Sequence, residues 1–389
     1  MAAAPDGGMS RADAYRLAAE MAEIGRALFN DVALSGSGRM SCATCHDPAR
    51  AFGPPNALAV QLGGKDMRQP GMRSVPSLTY IQTTPQFALH FYESEDEGDP
   101  TVDGGPTGGL TWDGRAGRGR EQARLPLLSP FEMANDGEAE VVAKVRKASY
   151  AEAMRHTFGK NVFDKPGTAF DAVLQSLEAY EQSYKEFFPY TSKYDAYLRG
   201  RAKLSEAEAR GLALFVDEAK GNCASCHHSQ RGAGGSLPQF TDFGMIALGL
   251  PRNPAIPANG DPDYYDLGLC GPLRTDLKGH DEFCGLFKTP SLRNVALKQV
   301  FLHNGSAHSL REAVAFYVER DTKPEKWYPR NADGSVRKYD DLPAKYQENI
   351  NTDPPFGGKP GDKPALSDAE IDDIVAFLRT LTDGYRATP

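Results

Sequence analysis

Cys42-Ala43-Thr44-Cys45-His46 is the stretch on which the fold turns. Two thiols three positions apart can each form a thioether to one vinyl group of a single haem. The adjoining histidine can then reach the iron, so Cys-x-x-Cys-His reads as c-type haem attachment. Cys223-Ala224-Ser225-Cys226-His227 repeats the pattern. A dithiol redox pair or half of a zinc site also begins with Cys-x-x-Cys. Neither calls for a histidine straight after the second cysteine, and here one follows twice in a chain with 6 Cys and 8 His. Two covalent haems are expected, with His46 and His227 on their irons.

Outward from these motifs the two halves of the chain match. Gly25-Arg-Ala-Leu-Phe-Asn-Asp31 parallels Gly211-Leu-Ala-Leu-Phe-Val-Asp217, each shortly before its haem motif. Val75-Pro-Ser-Leu78 parallels Thr289-Pro-Ser-Leu292, and Trp112-Asp-Gly-Arg-Ala116 parallels His303-Asn-Gly-Ser-Ala307. The expected architecture is mainly α: two cytochrome c-like domains related by duplication, residues 10–200 and 201–386, each with one covalent haem and long loops. Ser10, Ser205 and Ser367 open helices by capping-box logic, and further helical patterns run over 137–158, 168–187 and Ser309 to about Glu319. A polar helix is expected through Gln122. The acidic, glycine-rich segment from Glu93 to Gly109 reads as a solvated excursion. Residues 228–290 read as mostly loop, and 321–364 as a Pro/Gly/charged stretch with no apolar period.

The last of the internal matches bears on chemistry. Fourteen residues on from His303 stands Tyr317, and fourteen on from Trp112 stands Pro126. A tyrosine can ligate haem iron through its phenolate, whereas proline cannot ligate at all. If both positions face the distal sides of the haems, the second iron is six-coordinate and the first is open to a small molecule such as peroxide. The other reading of Tyr317 is a core tyrosine, since Val314, Tyr317 and Val318 share a helix face.

Hydrophobic content of 40% with 25% charged residues is that of an ordinary globular chain. A net charge of −8 argues against nucleic acid and against an anionic membrane surface. No run of about 18 apolar residues appears, so no transmembrane segment is expected. The opening Met1-Ala2-Ala3-Ala4-Pro5 lacks the basic and apolar regions of a secretory signal. Because c-type haem is installed outside the bacterial cytoplasm, a periplasmic location is expected, with the signal removed or replaced. The two cysteines outside the motifs, Cys270 and Cys284, favour a disulfide in such a compartment, the alternative being two buried thiols.

The order of motifs resembles the bacterial dihaem cytochrome c peroxidases and, more closely, the MauG-type enzymes. The resemblance covers most of the chain. It is carried by the two haem motifs, Trp112-Asp-Gly-Arg115, Gln122, Pro126, Pro130-Phe-Glu-Met133, Lys288-Thr-Pro-Ser-Leu-Arg-Asn294 and Phe301-Leu-His-Asn-Gly305. In conventional dihaem peroxidases the second haem's distal ligand is methionine; in MauG-type enzymes it is tyrosine, and Tyr317 stands there. Conventional peroxidases also carry a loop histidine that closes the first haem, and Gln61-Leu-Gly-Gly-Lys-Asp-Met-Arg68 has none.

The resemblance implies further roles. Trp112 matches a tryptophan that shares oxidising equivalents between two haems in a paired Fe(IV) state generated by hydrogen peroxide, although a core indole is the commoner role for a tryptophan. Gln122 and Glu132 match distal-pocket residues of the first haem, where a carboxyl group moves a proton during O–O cleavage; taken alone, Glu132 would read as a solvated surface glutamate. His303 matches a histidine that hydrogen-bonds near the haems. Calcium is implied between the haems, with Ser74 where the family has asparagine and backbone carbonyls near Lys298 and Val300. Length and the elaborated 319–364 region look most like the methanobactin-associated MbnH branch, which oxidises a tryptophan of a small secreted partner protein to kynurenine. The tryptophan that MauG uses for exit just before the second haem motif is absent, since Lys220-Gly-Asn222 sits there, leaving tyrosines or Trp327 as the route. The expected function is thus peroxide-driven oxidation of an aromatic residue on a partner protein. The alternatives are a conventional dihaem peroxidase drawing electrons from a small cytochrome or cupredoxin, and a dihaem electron carrier without chemistry of its own.

Overall fold

Ser10, Ser205, Ser309 and Ser367 each accept a hydrogen bond from the backbone N–H three residues on, and each is followed by a helix. The side-chain oxygen satisfies one of the donors that a helix start leaves orphaned. The computed structural model describes residues 9–92, 101, 103–232 and 234–386. Its helices are α1 (Arg11–Asn30), α2 (Cys42–Cys45), α3 (Gly119–Leu128), α4 (Glu138–Val145), α5 (Ala151–Phe158), α6 (Pro166–Glu181), α7 (Tyr184–Phe187), α8 (Lys193–Leu198), α9 (Glu206–Val216), α10 (Leu310–Glu319), α11 (Pro324–Trp327) and α12 (Asp368–Arg379). Strand is confined to small pairs such as Met245–Ile246 against Phe287–Lys288. The fold is mainly helical, as the capping pattern implies, and no described helix is long and apolar enough to cross a membrane.

Helix boundaries differ from the sequence pattern in three places. The 137–158 pattern is two helices, α4 and α5, and the 168–187 pattern begins at Pro166 and breaks after Glu181. Pro166 needs no N–H partner in a first turn, which lets the helix start there. The polar helix does not stop at Gln122 but runs through Pro126 to Leu128. Pro126 has no N–H to give the carbonyl one turn back, so the Gln122 carbonyl loses its helical partner.

The described chain gathers into two compact units. The first comprises residues 9–44, 62–69 and 119–187, and in it α1 crosses α6. Gly25 permits the approach, since a Cβ there would lie 1.9 Å from Ser176 O. One turn on, Phe29 meets Tyr180 edge to face at 5.4 Å. The second unit comprises residues 45–61, 70–118 and 188–386 apart from positions not described, and in it α9 crosses α12. A Cβ on Gly211 would lie 2.0 Å from Asp373 O, and Phe215 meets Phe377 edge to face at 5.1 Å. The Gly-x-x-x-Phe shared by the two halves is therefore one packing device used twice, with glycine at the crossing and an aromatic lock one turn later.

Helix α6 also buries Glu181, whose Oε2 has no hydrogen-bond partner. Burial, with Glu178 adding repulsion, raises its pKa to about 8. The native state then keeps the proton that the unfolded chain releases near pH 4.5. Stability is fullest below that pH and falls as pH rises towards 8, by an amount on the order of 5 kcal/mol. Glu181→Gln is expected to remove this slope, so that its stability relative to the native chain grows between about pH 5 and 9 in denaturant titrations. Parallel curves for the two proteins across that range would refute the assignment.

In the second unit the 321–364 stretch, which lacks an apolar period, still contributes to a core. Leu342, Tyr346 and Ile350 pack with Ala247, Cys270 and Cys284. Cys270 and Cys284 form a disulfide with Cα atoms 5.1 Å apart. Closing this short loop contributes about 3 kcal/mol in the chain-entropy account. Of the acidic excursion, residues 93–100 and 102 lie outside the described residues. The glycine-rich remainder is stitched down, with Gly108 N donating to Phe243 O and Met245 N to Pro106 O.

Candidate haem sites

The two haem motifs carry the same local architecture. His46 Nδ1 is 2.9 Å from Phe52 O and His227 Nδ1 is 2.8 Å from Phe240 O. A carbonyl oxygen only accepts, so Nδ1 holds the proton and each ring keeps the Nε2 lone pair for a metal. Phe52 and Phe240 both have left-handed backbones, with φ of 54° and 55°. Each is then met by its Pro-Ser-Leu segment. Leu78 N donates to Phe52 O and Leu292 N to Phe240 O, both at 3.3 Å. Ser77 Oγ donates to Ala51 O and Ser291 Oγ to Gln239 O.

Burial pushes His46 down to about 4 and lowers His227 as well, leaving neutral imidazoles, the form that binds iron. The Cys223 and Cys226 thiols are raised by burial to about 12 and about 11. At neutral pH both are protonated as free thiols. No cluster of three or more His, Cys, Asp or Glu side chains suited to a metal ion exists among the described residues. Two cysteines and one histidine with a fixed tautomer fit a c-type haem in each motif.

Tyr317 lies on α10, and its phenol is close enough to Cys226 and Cys223 to feel both thiols. It therefore stands near the cysteines of the second motif. Burial and the thiols keep the phenol protonated, so a Lewis acid such as ferric iron would be needed to draw off its proton. Phe356 stacks on Tyr317 with ring centres 5.4 Å apart, and the Arg320 guanidinium covers Phe356 at 3.7 Å. Neither Arg320 nor Phe356 stands out in the sequence.

In the first unit, Gln122 and Pro126 lie one turn apart on α3. The chain then folds back, with Ser129 N donating to Leu125 O and Met133 N to Pro126 O, both at 3.0 Å. Glu132 is half-buried on that return, and its carbonyl accepts from Gly64 N at 2.8 Å. The three distal-pocket candidates thus share one short helix–turn segment.

Trp112 and His303 occupy equivalent turns. Leu110 N donates to Ala116 O at 2.6 Å and Phe301 N to Ala307 O at 2.9 Å. Thr111 and Leu302 have φ of 72° and 68°, and Gly114 and Gly305 have 64° and 65°. The two rings meet at 6.3 Å. Trp112 Nε1 donates to Ser74 O at 2.7 Å. Beneath it the buried Asp113 accepts from Thr111, Arg73 and Arg115, and those guanidinium groups bring its pKa down to about 2. Arg73 also grips Asp266 with two hydrogen bonds and lies over Phe287, which stacks on His303 at 3.5 Å. Burial pushes His303 down to about 3, so it is neutral. The Asp-Gly-Arg that follows Trp112 was the available signal for this network, whereas Arg73 and Asp266 gave none.

Calcium takes six to eight oxygens, waters among them. Of the residues expected around it, Ser74 engages its carbonyl with the Trp112 indole and leaves its buried hydroxyl without a partner. Asp113 and Asp266 are held by arginines. Lys298 Nζ lies 6.0 Å from the centre of the same indole.

A sequence profile of the family described as di-haem cytochrome c peroxidase matches residues 19–203. The methylamine utilization protein MauG of Paracoccus denitrificans is 36% identical, over 93% of this chain and 88% of its own. The crystal structure of the diheme peroxidase BthA from Burkholderia thailandensis has a TM-score of 0.81 and 41% identity, covering 93% of this chain and 86% of that one. A MauG-like protein associated with microbial copper homeostasis has a TM-score of 0.64 and 26% identity over 98% of this chain and 92% of its own.

Proposed function

This chain belongs to the dihaem cytochrome c peroxidase family that includes MauG, a family of haem-dependent oxidoreductases that use peroxide, and from that premise we propose that it reduces hydrogen peroxide with electrons drawn from an outside donor. The balance is one peroxide, two electrons and two protons giving two waters. The observation that carries this reading is the pair of matching cradles, each with a histidine whose Nε2 is left for iron. Two c-type haems, attached through Cys42 and Cys45 and through Cys223 and Cys226, would supply an iron to bind peroxide and a second iron to store charge. The protein groups divide the remaining work. Glu132, on the same helix–turn segment as Gln122, would move the proton from the inner to the outer oxygen of peroxide. With proline at 126 the first iron would stay open to peroxide, and the Tyr317 phenol would ligate the second. Trp112, locked by Ser74 and the Asp113 network, is the conduit for electrons. Duplication of one cytochrome c domain, 10–200 and 201–386, accounts for the paired turns. The Cys270–Cys284 disulfide supports a location outside the reducing cytoplasm, the periplasm.

A second reading has the oxidising equivalents leave towards an aromatic residue of a partner protein, a tryptophan taken to kynurenine as in the MbnH branch. Its support is Tyr317, whose phenolate favours ferric iron and so suits a donor haem poorly. An aromatic line also runs from Tyr317 to Phe316 at 6.3 Å and from Phe316 to Trp327 at 5.4 Å. Trp327 borders a surface cleft of about 310 Å³ with Arg311 and Lys326.

The test is EPR and stopped-flow absorption on the dihaem protein. One high-spin and one low-spin ferric haem are expected, with the low-spin signal lost in Tyr317→Phe. Multiple turnovers with peroxide and a reduced small cytochrome or cupredoxin support the first reading. A long-lived oxidised state that ignores such donors would move the assignment to the second. Two low-spin haems indifferent to peroxide would sink both.

A further inference from the structure

In a chain whose net charge is −8, segments 196–205 and 228–241 carry Arg199, Arg201, Lys203, His228 and Arg231 and no aspartate or glutamate. These side chains are exposed, and so is Tyr197 beside them at the end of α8. The helix closes on a tight turn, with Gly200 N donating to Tyr197 O at 2.9 Å and Arg201 N to Ala196 O at 2.8 Å. Arg231 reaches the same turn from beyond the second haem motif, its Nη2 donating to Leu198 O at 3.1 Å. Nearby, Lys193 and Arg210 are neutralised by Glu208 and Asp373. Arg199 and Arg231 instead donate to the backbone carbonyls of Tyr190 and Gly235. Among the described residues, Arg199, Arg201, Lys203 and Arg231 form no ion pair. Below the patch lies a line of rings. Tyr197 stacks on the buried Tyr194 with centres 5.7 Å apart, and Tyr194 meets Phe240 edge to face at 5.5 Å. The Phe240 carbonyl is the group that holds Nδ1 of His227.

We propose that the basic end of α8 is the docking surface for an acidic electron-donor protein, a small cytochrome or cupredoxin with carboxylates around its exposed redox edge, whose electrons pass by Tyr197, Tyr194 and Phe240 towards His227. This rests on the reading that the chain draws electrons from an outside donor. Two donor molecules each lose one electron for every peroxide that takes up two electrons and two protons to give two waters. Exposed cations without carboxylate partners keep their field for an incoming protein, steering encounter in a way that salt screens. Tyr197 then offers the donor an aromatic contact at the centre of that field, two ring contacts and one hydrogen bond from the His227 imidazole. A basic donor would be repelled at this surface and drawn instead to the acidic remainder of the chain.

The test is calorimetric titration of the dihaem protein with acidic plastocyanin and with basic mitochondrial cytochrome c, at low and at physiological ionic strength. Plastocyanin is expected to bind the more tightly and to weaken as salt is added. Reversing three charges together, Arg199→Glu with Arg201→Glu and Lys203→Glu, should raise its Kd at least about tenfold. Should that variant fail to fold, Arg199→Gln with Arg201→Gln reads the same loss in smaller measure. A preference for cytochrome c, or plastocyanin binding that these substitutions leave unchanged, would overturn the proposal. The route is read by stopped-flow oxidation of reduced plastocyanin after peroxide, at saturating donor. Tyr197→Ala should slow this step and Tyr197→Phe, which keeps the ring, should not; an unchanged rate in Tyr197→Ala would overturn the route. Turnover of peroxide by the native protein with guaiacol, an uncharged small donor that needs no docking, tests the peroxidase reading separately. Its absence would sink that reading, while the binding comparison would still decide the docking surface.

Discussion

Replacing Arg320 by methionine is expected to lower the unfolding free energy by about 3 kcal/mol, as truncating one partner of a buried ion pair does. Arg320 has no exposed surface. Its Nε and Nη2 bind the Asp321 carboxylate, Nη1 donates to Leu248 O at 3.0 Å, and Nη2 donates to Asn351 O at 2.8 Å. Methionine fills similar volume but strands two carbonyls and part of a carboxylate. Lys338, the Tyr339 hydroxyl and Gly357 N remain on Asp321, which keeps the loss near the lower end of the range for broken buried pairs. Arg320→Lys restores a charge without the planar fork and should lie between. The methionine substitution also frees Phe356, which Arg320 covers and which stacks on Tyr317. A broadened or shifted EPR signal of the second haem is therefore expected alongside the lower denaturation midpoint. Full native stability in Arg320→Met would show that the pair does not carry this part of the fold.

Arg320 also shows where sequence reading stops. The haem motifs, the serine caps and the Gly-x-x-x-Phe match are local patterns, and the structure follows them closely because their chemistry is complete within a few residues. Tyr317 was reachable through the internal repeat, since equal counts from Trp112 and His303 compare equivalent turns. Phe356 was not, because 321–364 enters its core from irregular turns, and side chains on turns have no period to detect. The Arg320 contacts to Leu248 and Asn351 join segments 72 and 31 residues away. Arg293 makes the same point. It is buried against Asp195, 98 residues distant, and also binds Pro238 O, so it braces the segment whose Phe240 carbonyl sets the tautomer of His227.

Glu132→Gln should slow the reaction with peroxide by about 10²–10⁴-fold, the range over which a positioned acid–base group contributes. Cleaving the O–O bond so that water leaves requires the proton on the inner oxygen to reach the outer one, and an amide cannot carry it. The substitution is nearly isosteric. The backbone contacts that fix the turn, Met133 N to Pro126 O and Gly64 N to Glu132 O, do not involve the side chain. Haem content and ferric spectra are expected to match the native protein. The loss should appear in the bimolecular step with peroxide and not in the later reaction with an electron donor. Glu132→Asp keeps the carboxyl on a shorter stem and should recover part of the rate. If the Glu132→Gln protein reacted with peroxide as fast as the native chain, the proton would have to be moved by Gln122 with a bound water, and Glu132 would be left a structural residue of the turn.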